Sequence, residues 1–293
     1  MFKFSVWRKS IQTIPMVFFA LAMLLPVIIT FTNALMTERE IAMNYGLIGK
    51  ITPVASEGQG GEFVYLEWIP DWVSLEQYAH VLVQTPIFLI KFWNSVFMVI
   101  PIIAGQLLVA SLAAYALAKL IFRGRDTLFL VYLVTMLMPF QVTLVPNYIV
   151  ADRLGLLNNM SAIIFPAIFA AFGVFLLRQF MLHIPYAFIE AAKMDGASHL
   201  IIFIKIIIPL VKPGVAALVI LLFADYWNMI EQPLILLDDP SKHPLSLYLS
   251  QIIEGASGVG FAASMLYMTP MILLFLYAES YFIEGIQLTG IKG

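Results

Sequence analysis

Residues 92–118 read FWNSVFMVIPIIAGQLLVASLAAYALA, a run of 27 residues without a charged side chain between Lys91 and Lys119. A helix that crosses the hydrocarbon core of a membrane needs about 20 predominantly apolar residues. Such a helix also satisfies every backbone N–H and C=O group within its own segment, which the bilayer requires. The stretch therefore predicts a transmembrane helix and indicates an integral membrane protein.

Four other stretches of the chain are equally free of charge. They hold 28, 25, 24 and 24 residues and lie between Lys9 and Glu38, Asp126 and Asp152, Arg153 and Arg178, and Glu254 and Glu279. A sixth apolar run, residues 213–233, is interrupted only by Asp225 and Glu231. We therefore predict an all-α integral membrane protein in which residues 1–293 form a single domain of six transmembrane helices.

The overall composition agrees with this class. Of the 293 residues, 61% are hydrophobic and 12% are charged, whereas about 25% of the residues of a soluble domain are charged. The 16 basic and 18 acidic residues give a net charge of −2, without the basic excess that a nucleic-acid-binding protein carries. The chain has no cysteine, which excludes disulfides, thiolate metal sites and cysteine nucleophiles.

The sequence has no pattern typical of a catalytic or cofactor-binding site. A P-loop requires Gly-x-x-x-x-Gly-Lys-Ser/Thr to hold phosphates. Gly49-Lys50 has Asn44 in place of the first glycine and Ile51 in place of the hydroxyl residue. The run GASGVG at 255–260 follows no predicted strand, and the four histidines lack the spacing of metal ligands. We expect no cofactor or metal to be bound by this chain.

Basic residues are concentrated in segments that would face one side of the membrane. Eleven of the 16 Lys and Arg residues lie in residues 1–12, 119–126, 178–212 and 284–293. Because cytoplasmic loops of membrane proteins are enriched in Lys and Arg, we predict that these segments and both termini are cytoplasmic. The first apolar run has no small-residue cleavage site after it, and we expect it to be retained as a signal-anchor helix.

The segment 37–90 would then be an outer loop. It carries seven acidic and two basic residues, and is too polar to lie in lipid. Gly58, Gly60 and Gly61 indicate a flexible loop, and Ser74 with Gln77 is typical of a capping box that begins a short helix. Two interpretations remain open for this segment: a solvated connector with one interfacial helix, or a docking surface for an external partner.

The inner loop after the fourth span contains the most informative motif. Residues 190–209 read EAAKMDGASHLIIFIKIIIP, and residues 185–213 favour amphipathic helix. A short helix ending at Gly196, which can adopt the left-handed conformation, would expose Glu190, Lys193 and Asp195. Phe203, Ile206 and Ile207 could anchor the following segment on the membrane helices. Such an element suits mechanical coupling, although an ordinary interfacial helix would have the same composition.

The spacing of this loop is specific. Glu-Ala-Ala, three residues, Gly, nine residues and Ile-x-Ile-Pro resembles the signature of ABC-importer permeases, with Ile208 where leucine is commoner. The resemblance implies a type I permease fold and a cytoplasmic loop, residues 181–212, that couples to an ATPase. The ATPase-coupling residues that it implies are Glu190, Ala191, Ala192, Asp195, Gly196, Ile206 and Pro209.

Further motifs resemble the smaller, maltose-importer-type subunit of carbohydrate-uptake permeases: Asn94-Ser95, Pro139 to Pro146, Arg178-Gln179-Phe180, Trp227-Asn228 and the final GIKG. The resemblance implies a second, unlike permease subunit, two copies of a cytoplasmic ATPase that uses ATP and Mg, and an extracytoplasmic sugar-binding protein. It also implies a bacterial-type cell membrane and contact with its lipid.

Other functions remain as alternatives. A peptide or amino-acid ABC importer differs only in the flanking motifs and the tail. An ion-coupled secondary transporter usually shows internal repeats, and none is evident here. A structural scaffold would leave the signature loop unexplained.

The fifth span carries polar residues that could line a path. Asp225, Asn228 and Gln232 recur at three- and four-residue spacing and would share one helical face, with Trp227 beside it. Since a charged side chain within a span is costly, it normally faces water or a partner. Two readings stay open: a hydrated sugar path, or a structural contact with the partner permease.

Overall fold

The computed structural model describes residues 2–45, 67–84, 86–252 and 257–290, and these residues form helices joined by short turns. They divide into two compact units. One unit comprises residues 1–89 with 249–269, and the other comprises residues 90–248 with 270–293. The described part of the chain contains no strand, as predicted for an all-α protein.

The helices are described by their bounds in chain order: α1 Phe2–Asn33, α2 Glu38–Tyr45, α3 Glu76–Ala79, α4 Pro86–Lys119, α5 Arg125–Met136, α6 Phe140–Arg153, α7 Ser161–Ile168, α8 Ala171–Leu182, α9 Ala187–Met194, α10 His199–Ile202, α11 Ile208–Leu210, α12 Lys212–Trp227, α13 Glu231–Leu236, α14 Leu245–Ile252 and α15 Ser257–Gly290. A π-type turn, His80–Gln84, continues α3, and a second, Phe203–Ile207, joins α10 to α11.

Four stretches in the described residues are helical, long and apolar enough to cross a membrane: Thr13–Asn33, Pro86–Lys119, Ser161–Leu182 and Val259–Glu279. Two bent pairs could add one span each, so the total is up to six. One pair is α5 with α6, bent by 99°, and the other is His199–Leu210 with α12, bent by 74°.

The predicted span between Asp126 and Asp152 is not one straight helix: α5 and α6 are bent by 99° where they meet. Residues 137–139 interrupt it, and Pro139 takes an extended conformation with ψ of 141°. Proline lacks a backbone N–H and disfavours the helical conformation at the residue before it, which favours a break in the helix at this position. The chain turns instead and begins α6 at Phe140.

The predicted helix over residues 213–233 is also shorter than expected. It ends at Trp227, and α13 begins only at Glu231. Pro233 would clash with the carbonyl of residue 229 in a continuous helix. The Asn228 side chain donates a hydrogen bond of 2.7 Å to the Ala224 carbonyl oxygen, which takes up one of the acceptors left free where the helix ends.

The outer segment is partly described. Its short helix is present at Glu76–Ala79, but the predicted capping box of Ser74 with Gln77 is wrong. Ser74 Oγ accepts from the N–H of Glu76, and the N-cap residue is Leu75, which makes no side-chain hydrogen bond. The reciprocal pair is instead Thr37 with Glu40, at the start of α2, and its Thr-x-x-Glu spacing was readable in the sequence. The Gly58–Gly61 loop lies outside the described residues.

Close helix contacts in the larger unit depend on glycine. A Cβ at Gly214 of α12 would lie 2.6 Å from the ring of Phe180 on α8. We expect Gly214→Ala to lower the free energy of unfolding by about 1–3 kcal/mol through overpacking. Thermal unfolding in detergent measures this. The matched control is Gly260→Ala on α15, where the new methyl group meets no atom within 4 Å; equal melting temperatures for the two variants would contradict the prediction.

Candidate functional site: an exposed short helix and a polar cavity

The predicted short helix before Gly196 is present as α9. Its inward side chains, Ile189 and Ala192, are three residues apart and buried. Two large apolar side chains of this segment are exposed, Phe188 by 49% and Met194 by 87%. The polar residues Glu190, Lys193 and Asp195 are exposed beside them, together with Ala191. An apolar surface with a charged rim is typical of a protein–protein contact.

Gly196 ends α9 through a Schellman motif. Its φ is +77°, its N–H donates to the Lys193 carbonyl at 3.0 Å, and the N–H of Ala197 donates to the Ala192 carbonyl at 2.9 Å. These are the two bonds of that motif. A Cβ at this position would meet no atom of the described residues within 4 Å. Glycine is therefore required by the backbone conformation rather than by crowding within this chain.

One face of α4 contacts the residues on both sides of α9. Lys119 Nζ donates to the Ile184 carbonyl at 2.6 Å, just before α9. One turn earlier, the Tyr115 hydroxyl is 3.0 Å from His199 Nδ1, just after it. Tyr115 also packs on Phe203, with ring centroids 5.3 Å apart. The residues on both sides of α9 are thus attached to α4.

The residues after Gly196 continue this attachment. Ser198 Oγ caps α10 by accepting from the N–H of Ile201. Phe203 and Ile207 are buried, as predicted, whereas Ile206 is half-buried and Pro209 is exposed. The loop is not one amphipathic helix, because Gly196 and the turn at Val211 divide it.

Three of the predicted path residues lie on the same cavity although the helix ends between them. Asp225, Asn228 and Gln232 line a space of about 510 Å³. The expected place of Trp227 is wrong: its side chain is 2% exposed and does not line this cavity. It packs instead between Phe92 and Phe223, with centroid separations of 5.7 and 5.0 Å.

A second cavity, of about 590 Å³, shares Phe140, Asp225, Tyr226 and Gln232 with the first. Its other polar lining residues include Thr143 and Asn147 of α6. The bend at Pro139 brings α6 to this site, and these residues could not be predicted because a proline in a span does not fix the direction of the bend.

Side chains of α4 bind the backbone of residues 241–245, which follow α13 along the chain. Asn94 Nδ2 donates to the carbonyl oxygens of Ser241 and His243 at 2.7 and 3.0 Å, and Ser95 Oγ accepts from the N–H of Leu245 at 2.8 Å. These bonds give a structural role to the Asn94-Ser95 motif.

The other side of this segment is held by Asn158 and Asp239. The N–H of Asn158 donates to the carbonyl of Leu236, the last residue of α13, at 2.9 Å. Hydrogen bonds from Ser241 lower the pKa of the Asp239 carboxyl group. The wall formed by α13 is therefore fixed at its carboxyl-terminal end.

Comparison with known proteins gives a consistent result. Residues 88–282 match the family described as the inner membrane component of binding-protein-dependent transport systems. An arabinooligosaccharide transport permease of Halalkalibacterium halodurans is 32% identical over 76% of this chain and 81% of its own length. A polygalacturonan/rhamnogalacturonan transport permease of Bacillus subtilis is 30% identical over 77% of this chain and 84% of its own.

A solved structure is also similar. A chain of a bacterial ABC transporter that imports the acidic polysaccharide alginate has a TM-score of 0.74 and 26% sequence identity, and the match covers 94% of this chain and 96% of that one.

Proposed function

Because the chain belongs to the family of binding-protein-dependent transport system inner membrane components, we propose that it is a permease subunit of an ATP-driven importer of sugars or oligosaccharides. The observation that carries the proposal is α9, where the signature residues Glu190, Ala191 and Asp195 are exposed on a surface that the described part of the chain leaves uncovered. The names of the relatives support the saccharide class.

The coupling residues are proposed to contact a cytoplasmic ATPase. Glu190, Ala191 and Asp195 are exposed on α9, while Ile189 and Ala192 fix that helix to the rest of the chain. The ATPase would be present in two copies and would bind the ATP and Mg that the importer uses. The remaining partners are a second, unlike permease and an extracytoplasmic sugar-binding protein.

The importer purified through a tag on this chain tests the assignment. We expect an ATPase and a second permease to co-purify, and saccharide uptake into proteoliposomes to require ATP. Uptake that continues without ATP but collapses with an ion gradient would indicate a secondary transporter. Uptake of peptides instead of saccharides would favour the other ABC class.

The orientation of the chain is proposed as six spans with both termini inside. Because the protein has no cysteine, single substitutions can report sidedness. We expect Val73→Cys, exposed in the outer segment, to react with an impermeant maleimide on intact cells, and Lys193→Cys, exposed on α9, to react only after lysis. Labelling of position 193 but not of position 73 would reverse the topology.

The cavity at Asp225 is proposed to line the translocation path. Its carboxylate and the amides of Asn228 and Gln232 can bond sugar hydroxyls. We expect Asp225→Asn and Asn228→Ala each to raise the half-saturating saccharide concentration for uptake by about fivefold, equivalent to about 1 kcal/mol for one hydrogen bond. Basal ATP hydrolysis should stay unchanged. Unchanged saturation together with loss of the second permease on purification would assign these residues to a subunit contact.

A further inference from the structure

The charged side chains among the described lining residues of the two cavities at Asp225 are all acidic. Asp225 and Glu231 both line the smaller cavity, and both are exposed. Asp225 also lines the larger one. Among the described residues that line either space there is no lysine, arginine or histidine. The remaining lining groups are amides, hydroxyls, aromatic rings and aliphatic side chains.

We infer that this site selects neutral oligosaccharides and rejects saccharides that carry carboxylate or phosphate groups. The inference rests on the proposed function, because it names the substrate class of the same path. The family likeness alone does not decide this point, since relatives of this chain are named for neutral and for acidic saccharides.

The acidic lining favours a neutral saccharide over an anionic one. Like charges a few ångströms apart repel each other, and the repulsion is several times stronger at the effective dielectric constant of a protein surface than in water. The screening length at physiological salt is about 8 Å, so a uronate held inside either cavity would be repelled. A neutral sugar meets no such penalty, and its hydroxyl groups can donate to Asp225 and Glu231 and accept from the Gln141 and Gln232 amides.

Two basic residues that contact the segment after α13, Lys242 and Lys91, line neither cavity. Lys242 Nζ donates to the Asn158 carbonyl at 2.8 Å and lies 3.8 Å from the Asp239 carboxylate. Lys91 Nζ donates to the Pro240 carbonyl. Both ammonium groups are therefore engaged with the segment after α13, outside the two linings.

A charge-sensing thiol measures the potential of the cavity directly. Gln141→Cys places a thiol in the smaller cavity and Asn147→Cys places one in the larger, in a chain without native cysteine. Each purified variant is modified with a cationic and with an anionic methanethiosulfonate reagent, and the ratio of rates is normalised to that of free mercaptoethanol. We expect the cationic reagent to be favoured about tenfold at position 141, and less at position 147, whose cavity lacks Glu231.

The matched controls remove the charges without changing shape. Asp225→Asn with Glu231→Gln should bring the ratio at position 141 to about one, whereas Glu231→Gln alone should leave the ratio at position 147 nearly unchanged. A normalised ratio of one or less in the parent at both positions would overturn the inference. Either result leaves the proposed function standing, because ATP-dependent uptake and co-purification are measured independently of it.

A matched pair of saccharides tests selection itself. Trigalacturonate and its fully methyl-esterified form differ in charge and little in size. We expect the neutral ester to protect the thiol at position 141 from modification at a concentration about tenfold lower than the free acid does. Equal protection, stronger protection by the acid, or protection by neither compound would contradict a site for neutral saccharides.

Discussion

Gly196→Val is expected to abolish most ATP-coupled uptake while the chain still inserts into the membrane. Gly196 has a φ of +77° at the end of α9. A left-handed conformation costs a residue with a Cβ about 1–2 kcal/mol, and a β-branched side chain is the least tolerant. A penalty of that size shifts the population of the correctly ended helix by about 5- to 30-fold. Uptake into proteoliposomes and saccharide-stimulated ATP hydrolysis should fall by a similar factor.

Gly196→Asn is the matched control, because asparagine tolerates this region of φ and ψ better than other non-glycine residues. The position faces open space within the chain, so both variants keep the packing of α9. We expect Asn to retain most of the uptake that Val loses. Equal loss in both variants would mean that the partner ATPase approaches too closely for any side chain. Full uptake in Gly196→Val would exclude a coupling role for this turn.

The short helix α9 could be predicted because its signals are local. The apolar residues Ile189 and Ala192, the polar residues Glu190, Lys193 and Asp195, and the terminal glycine all lie within ten positions. The attachment of this helix to α4 could not be predicted. Lys119 and Ile184 are 65 residues apart, and Tyr115 and His199 are 84 residues apart, so these contacts depend on how the helices pack.

The cavity shows the limit of reasoning from helical periodicity. Polar residues in a span converge where water can reach them, and Asp225, Asn228 and Gln232 do so even though the helix ends after Trp227. Trp227 itself lies two residues from Asp225, about 200° around the helix, which places the indole in the core. The contribution of α6 depends on the bend at Pro139, and a proline in a membrane span does not by itself predict the direction of a bend.

Glu190→Lys is expected to prevent stable docking of the ATPase. The Glu190 carboxylate is exposed on α9 and makes no hydrogen bond or ion pair with the described part of the chain, so reversing its charge leaves the fold of this subunit intact. A like charge brought against a partner surface costs several kcal/mol, and we therefore expect little ATPase to co-purify and uptake to fall at least about tenfold.

Two further variants separate the effect of the Glu190 charge from that of the net charge of α9. Glu190→Gln keeps the size of the side chain and removes its charge, and should give an intermediate loss. Lys193→Glu reverses a charge on the same exposed surface of α9 but lies outside the signature, so it should retain more uptake than Glu190→Lys. If Glu190→Lys and Lys193→Glu lowered ATPase recovery equally, the net charge of the helix would matter rather than the Glu190 contact; if neither lowered it, α9 would not be the surface on which the ATPase docks.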